Sequence, residues 1–406
     1  MPIVMSKKPG FGVLLCFAGL TVLAASPAGQ EKLASANTGF AFDLLRQITR
    51  EQPVTNVFIS PFSVSSVLQM VANGAAGETK AEMQRVLKTT GLPAETLNAA
   101  CKDLNQSLNS QTNVILNLAN AIWYENWIHF TPAFVSNNQK CFQVKIAGVD
   151  SFTNAESADI INDWAEKNTH GKIKQVVRFP FPASTRVVLA NAIYFKGKWA
   201  EPFDKSQTKP RDFHLSKGGE KQVPMMRQSR TFSYQEGDGF QAVRLPYAGD
   251  RLQMYLFLPA TNSSPQKLLA NFNSESWHNK ILPQFSDRKG MLVFPKFKLD
   301  YNILLNDSLE ALGMKCAFVE GEADFSRMVD NDNLFITMVK QKSFVDVNEE
   351  GTEAAAVTTV MLSDSVMSLR PPKPFEMIVD RPFLFVIDDD STKSVLFMGV
   401  IYDPAG

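Results

Sequence analysis

The sequence predicts an α+β fold, with large β-sheets and helices packed around them. Three observations point to it. Residues 113–124 (NVILNLANAIWY) and 186–195 (RVVLANAIYF) are almost unbroken apolar runs, the pattern of strands covered on both faces. Other stretches repeat apolar residues at helical spacing. Of the 406 residues 45% are hydrophobic, including 30 Phe, which supplies a sizeable core and argues against disorder. At about 150 residues per domain the length suggests two or three domains. No Gly/Ser run, Pro-rich spacer or like-charge block supports a split between residues 35 and 406, and no repeat recurs at about 20–50 residues. One large domain, 29–406, is the expectation.

At the N-terminus, Lys7 and Lys8 precede an uncharged run from Phe11 to Ala25, and small residues follow through Ala28. A charged segment, an apolar segment and a small-residue zone form a signal peptide, here 1–28 with cleavage between Ala24 and Ala28. The run is short for a span of about 20 residues, so a short membrane anchor is the lesser alternative. The expectation is a secreted chain, extracellular or, in a bacterium, periplasmic, with no membrane attachment after cleavage.

The elements follow in order. Phe40, Phe42, Leu44, Leu45 and Ile48 share one face of a helix over 35–50. NVFIS (56–60) is a short strand, and Pro61 opens a helix carrying Val64, Val67, Leu68 and Val71, since Pro at the first turn forfeits no hydrogen bond. Gly74 and Gly77 end it. Thr79 is expected to start the next helix, with Glu82 completing a capping box. SADIINDWAEKN (157–168) is an amphipathic helix ended by His170–Gly171. FQAVRLPY, LQMYLFLP and GMLVFPKFKL are strand-like runs between 240 and 300. LLNDSLEALGM (304–314) is a short helix closed by Gly313. FLFVI (383–387) and SVLFMGVIY (394–402) finish the chain as strands, with Asp388, Asp389 and Asp390 read as a solvated turn between them.

Several function classes are excluded. Lys plus Arg equals Asp plus Glu, 41 each, so no basic face for nucleic acid is implied. No GxSxG, HExxH, P-loop or GxGxxG motif follows a suitable strand, and no enzyme chemistry is expected. His129, His170, His214 and His278 are scattered and there is no CxxC, so neither metal nor cofactor is expected. Cys16 falls in the leader. Cys101, Cys141 and Cys316 are widely spaced and odd in number, which leaves room for one pair and one thiol. Asn105, Asn262 and Asn306 stand in N-x-Ser sequons. Residues 79–110 hold no cluster of Lys or Arg for a polyanion.

The unusual segment lies near the end, in FVDVNEEGTEAAAVTTVMLSDSVMSLRPPKPF (344–375). From Gly351 to Leu369 it has no Pro, no further Gly and two charges, Glu353 and Asp364. A structureless stretch near 20 residues is rare in a compact domain unless it is functional. Thr352, Ala354, Ala356, Thr358, Val360 and Leu362 fall on one face of an extended chain, small first and then apolar. The segment therefore suits both an exposed loop and a central strand, where Pro would break the ladder. An Ala-rich helix is the alternative, weakened by the β-branched VTTV.

NEEGTEAAAVTT resembles the hinge of the serpin family. So do NVFISPFSVSSVLQMVANGAAGET (56–79), NDWAEKNTHGKI (162–173), LANAIYFKGKW (189–199), VPMM (223–226), FPKFKLDYN (294–302) and DRPFLFVI…SVLFMGVIYDP (380–404), in serpin order across the whole mature chain. The resemblance implies a metastable fold of three β-sheets with eight to nine helices and an exposed reactive-centre loop, about 349–371. It implies a monomeric inhibitor of serine, and also cysteine, endopeptidases. The protease cuts the loop, forms an acyl-enzyme and is trapped when the loop inserts into the main sheet. A non-inhibitory relative, carrying a ligand or acting as a chaperone, is the alternative. By position Gly351, Thr352, Glu353, Ala354, Ala355 and Ala356 form the hinge. Ser60, Ser63 and Asn191 match the shutter under the sheet, Trp199 the tryptophan where insertion begins, and Glu349 and Lys296 an ion pair at the loop base.

Two departures are visible. Gln341 stands where the shutter usually has His, and a few extra residues lie between hinge and RPF. In the family the scissile bond usually follows the fourteenth residue past the hinge glycine, giving Ser365–Val366. A slip in register would expose Leu362, Met367 or Leu369 instead. No Lys or Arg occurs between Glu353 and Leu369, so elastase-like, chymotrypsin-like or papain-like proteases are expected partners ahead of trypsin-like ones.

Overall fold

The computed structural model describes residues 27–109, 114–142, 144–237, 239–329, 334–352 and 373–405. It opens on α1 (Pro27–Glu51), whose Phe40, Phe42, Leu44, Leu45 and Ile48 are fully buried. After β1 (Val57–Ile59), Ser60 caps α2 (Pro61–Ala72), accepting the N–H of Ser63, with Pro61 in the first turn. The next helix, α3 (Gly77–Val86), begins two residues before Thr79 and has no side-chain cap. The expected capping box is absent because both residues serve distant segments. Thr79 Oγ1 accepts the N–H of Asp324, and Glu82 Oε2 accepts those of Lys315 at 2.7 Å and Cys316 at 2.8 Å.

The chain continues through α4 (Ala94–Asn109), β2 (Val114–Glu125), α5 (Pro132–Phe142), β3 (Lys145–Val149), α6 (Ala155–Asn168) and β4 (Val187–Lys198). β5 (Lys209–His214), β6 (Glu220–Gly237), β7 (Phe240–Pro246) and β8 (Leu252–Pro259) follow. Then come α7 (Pro265–Asn271), α8 (Ser274–Ser276) with a π-helical turn over Trp277–Ile281, β9 (Ser286–Pro295), β10 (Phe297–Leu304) and α9 (Asn306–Ala311). β11 (Met338–Asn348), β12 (Gly351–Thr352), β13 (Phe375–Ile378), β14 (Phe383–Asp389) and β15 (Ser394–Ile401) complete it.

A six-stranded sheet runs β10-β11-β12-β4-β2-β3. The other strands form a nine-stranded path, β1-β15-β14-β8-β7-β6-β9-β13 with β5 on β6. The long β6 belongs to two parts of it: one end pairs with β5, the other with β7. The second and third sheets of the expected architecture are thus joined through one strand. Ile193, Phe195, Val345 and Val347 of the six-stranded sheet meet Met254, Leu256, Phe385 and Phe397 of the other in a shared core. On the outer face, small residues of β2 and β4 (Ala119, Ala121, Ala190, Ala192) let α6 approach with Ile161 and Ala165.

Candidate functional site

The site is the seam between β4 and β11. From Met338 to Phe344, β11 pairs directly and in parallel with Val188–Tyr194 of β4. Above that level the strands part, and β12 stands between them. Thr352 lies opposite Val347 on one side and Gly197 on the other; Gly351 lies opposite Asn348 and Lys198. Both new pairings are antiparallel. Glu349 and Glu350 form the turn that folds β12 back onto β11.

Glycine is required at this entry. Gly351 has φ +140, and a Cβ there would sit 2.2 Å from the carbonyl oxygen of Gly197 and 2.7 Å from Lys198 Cα. The conformation is open only to glycine, and the clash is with backbone, which cannot rotate away. Thr352 is fully buried, its Oγ1 3.1 Å from the Tyr247 hydroxyl. Tyr247 stacks on Trp199 with ring centroids 4.7 Å apart, and burial pushes its phenol pKa up.

The segment after β4 clamps the loop base. Trp199 donates its Nε1–H to Asn348 O at 3.0 Å and its backbone N–H to Glu350 O at 3.0 Å. Phe203 N–H donates to Glu349 O at 2.8 Å. Glu349 Oε2 lies 2.8 Å from Lys296 Nζ, and Oε1 accepts from Thr208 Oγ1 at 2.8 Å. Burial opposes ionisation of Glu349, but hydrogen bonds from Lys296 and Thr208 outweigh it and hold the carboxyl below its ordinary pKa. Glu350 pairs with Lys205.

Below β12 the seam is underlain by a buried polar network. Gln341 Oε1 accepts the Ser60 N–H at 3.1 Å, while Nε2 donates to Ser60 O at 3.1 Å and Asn191 Oδ1 at 2.8 Å. Asn191 Nδ2 donates to Ser63 Oγ and Asn120 Oδ1, and Ser63 Oγ donates to Asn120 Oδ1 at 3.0 Å. Ser60 Oγ donates to Leu396 O at 2.8 Å. Gln341 uses both donors and its acceptor, and no member of this network titrates near neutral pH.

Ser60, Ser63, Asn191, Gln341, Trp199, Glu349, Lys296, Gly351 and Thr352 therefore gather along one seam. Glu353, Ala354, Ala355, Ala356, Ser365 and Val366 lie outside the described residues, as do residues 1–26 of the expected leader 1–28, whose last two residues fall in α1. The sequence reading missed Asn120, Tyr247, Thr208 and Lys205. Asn120 had a signal: LANAI occurs twice, at 118–122 and 189–193, and the copies pair antiparallel about Asn120 and Asn191.

Elsewhere, Asp388 and Asp389 overturn the expected solvated turn, being 2% and 0% exposed. Cys101, Cys141 and Cys316 are free thiols. Among the described residues no group of His, Cys, Asp and Glu could hold a metal ion, and no helix is long and apolar enough to cross a membrane.

The family model described as serpin (serine protease inhibitor) matches residues 35–404. The leukocyte elastase inhibitor of Homo sapiens is 36% identical over 384 residues, covering 92% of this chain and all of that one. Among solved structures, the thermophilic serpin tengpin in its native state superposes with TM-score 0.82 at 27% identity, covering 92% of this chain and 94% of that one. Human thyroxine-binding globulin in complex with thyroxine superposes at 0.83 with 29% identity, covering 93% of this chain and 99% of that one.

Proposed function

The chain belongs to the serpin family, a family of protease inhibitors, and we propose that it is a secreted suicide substrate of endopeptidases that traps the acyl-enzyme by inserting its cut loop between β4 and β11. The observation that carries this reading is β12. Two hinge residues already occupy the top of the seam, while in the seam beneath β4 and β11 pair directly with no strand between them.

The register sets the course of insertion. Thr352 opposes Gly197 and Val347. Each further residue moves one position down both strands, so Thr358, six residues on, comes opposite Asn191 and Gln341. Its hydroxyl then takes the place where Gln341 now donates to Asn191. Leu362, ten residues on, comes opposite Val187, the first residue of β4. The seam is full there, with Ser365 just beyond its lower edge, so an acyl-linked protease is carried the length of the sheet. Side chains facing the core along this path are small first (Ala354, Ala356) and apolar last (Val360, Leu362).

The leader at 1–28 supports export. Ser365, without a basic residue nearby, suits an elastase-like or papain-like pocket, and the elastase inhibitor relatives agree with the first. Incubation with a protease panel should give SDS-resistant complexes with elastase-like, chymotrypsin-like or cysteine proteases. Mass spectrometry of the released C-terminal peptide should find Val366 at its start. Stoichiometric trapping of trypsin overturns the specificity argument, and no complex with any protease favours a carrier or chaperone.

The ion pair of Glu349 and Lys296 is partly exposed and contributes about 0–1 kcal/mol. Its role is kinetic: it fixes the loop base against premature insertion. Glu349→Ala should raise the fraction of uncut protein that self-associates or inactivates on mild heating, with the rate of protease association unchanged. An unaltered inactivation rate removes this role.

A further inference from the structure

β14 ends on two successive carboxylates that the fold treats in opposite ways. Asp389 accepts from Arg251 Nε at 2.7 Å and Nη2 at 2.6 Å, from Ser391 Oγ at 2.8 Å and from Thr392 Oγ1 at 2.8 Å. Burial opposes its ionisation, yet these donors hold its pKa below the ordinary carboxylate value. Asp388 has one such partner. Its Oδ2 accepts from Trp277 Nε1 at 3.0 Å, and its Oδ1 meets no donor among the described residues.

The backbone explains the difference. Register slips within the β14–β15 pair: Ile387 opposes Phe397, but Asp388 opposes Val395, leaving Leu396 as the extra residue of a bulge. The extra residue lies on β15, so β14 keeps its alternation, and Asp388 faces the same side as Leu384 and Val386, under Trp277, which is itself fully buried among Phe42, Tyr255 and Phe257.

The charges around Asp388 do not neutralise it. On its own turn are Asp389, taken by Arg251, and Asp390, which pairs with Lys393. From β8 comes Tyr255, with Arg244 opposite it on β7. From the π-helical turn comes the neutral indole of Trp277, while the ring nitrogens of His278 face Ser274 O and Lys393 O. An anion at Asp388 is buried with one neutral donor, an arrangement that costs free energy unless the group protonates.

We propose that Asp388 is a proton-dependent latch of the native state, seated under Trp277 when neutral and loosening β14 from the π-helical turn when ionised. Burial first, then the charge of Asp389, raises its pKa to about 7, far above the value in an unfolded chain. A raised carboxyl pKa contributes stability that is complete below the unfolded value and lost as pH rises through the folded one. The uncut molecule is therefore more stable in mild acid than in mild base. The bulge residue Leu396 also accepts the Ser60 hydroxyl, so the latch lies beside the network under the seam.

Thermal melting of the full-length uncut protein at about pH 5 and about pH 8.5 tests this. The unmodified chain should lose several degrees at the higher pH. Asp388→Asn, of the same shape and permanently neutral, should recover that loss at the higher pH and flatten the profile. An unmodified chain equally stable at both, or a loss that survives in Asp388→Asn, overturns the proposal. A variant that does not fold leaves a second measurement on the unmodified protein. With carbon-13 aspartate, one carboxyl should titrate near neutrality, and all aspartates titrating in the ordinary range overturns the latch equally.

Discussion

Thr352→Arg is expected to abolish inhibition and turn the protein into a substrate. Thr352 is already inside the sheet in the uncut chain, with no exposed surface and Tyr247 as its hydroxyl partner. A guanidinium there would stand between Val347 and Gly197 and against Tyr247, which packs on Trp199 and Phe195. Burying an unpaired charge costs several kcal/mol, and about 1.4 kcal/mol slows a step tenfold. Insertion then loses to deacylation, and the protease leaves with full activity while cut protein accumulates. Glu353→Arg is the control, because the next residue of an extended strand faces the opposite side of the sheet. It should keep most inhibition. Covalent complexes formed by Thr352→Arg at the unmodified yield mean that insertion from β12 is not the mechanism.

Cutting the loop is expected to raise the melting temperature. The intact seam holds one direct run of pairs, Met338–Phe344 with Val188–Tyr194. An inserted segment replaces that run with two antiparallel ladders, one against each strand, and buries Ala354, Ala356, Thr358, Val360 and Leu362. With hydrogen bonds at roughly 0.5–1.5 kcal/mol each, a net gain of about 5 kcal/mol is within reach of ten inserted residues. At about 1 °C per kcal/mol for a domain of this size, the cut form should melt about 5 °C or more above the intact one. Equal melting temperatures, with cleavage confirmed by mass, point to a non-inhibitory relative.

Much of this site was legible in the sequence because its parts obey local rules. Pro61 after a short strand reads as a helix start, and it is one. Gly351 followed by small alternating residues reads as a strand entry, and the structure has Gly351 and Thr352 already paired on both sides. What stayed hidden depends on partners far along the chain. Glu82 sits at capping-box spacing from Thr79 yet binds the backbone of Lys315 and Cys316 instead. Asp388 looked like part of a polar turn, but β14 runs on through Asp389, and its alternation carries Asp388 beneath Trp277 with Leu384 and Val386. Tyr247 and Thr208 carry no motif; they matter because the segment after β4 folds back over the loop base.

β15 occupies an interior place in the nine-stranded sheet, between β1 and β14, although it is the last strand made. Val57 pairs with Val400 and Ile59 with Met398, so the first strand of the chain waits for the last. During synthesis β1 has no strand to pair with until β15 has been made. Pairing over such separations is slow, and unpaired edges invite association in the meantime. A chain released before Ser394 would leave β1 and β14 as open edges and would lack the Leu396 carbonyl that holds Ser60. Synthesis must therefore reach β15 before β1 is paired, and a nascent chain that already carries residues 353–372 still lacks that strand.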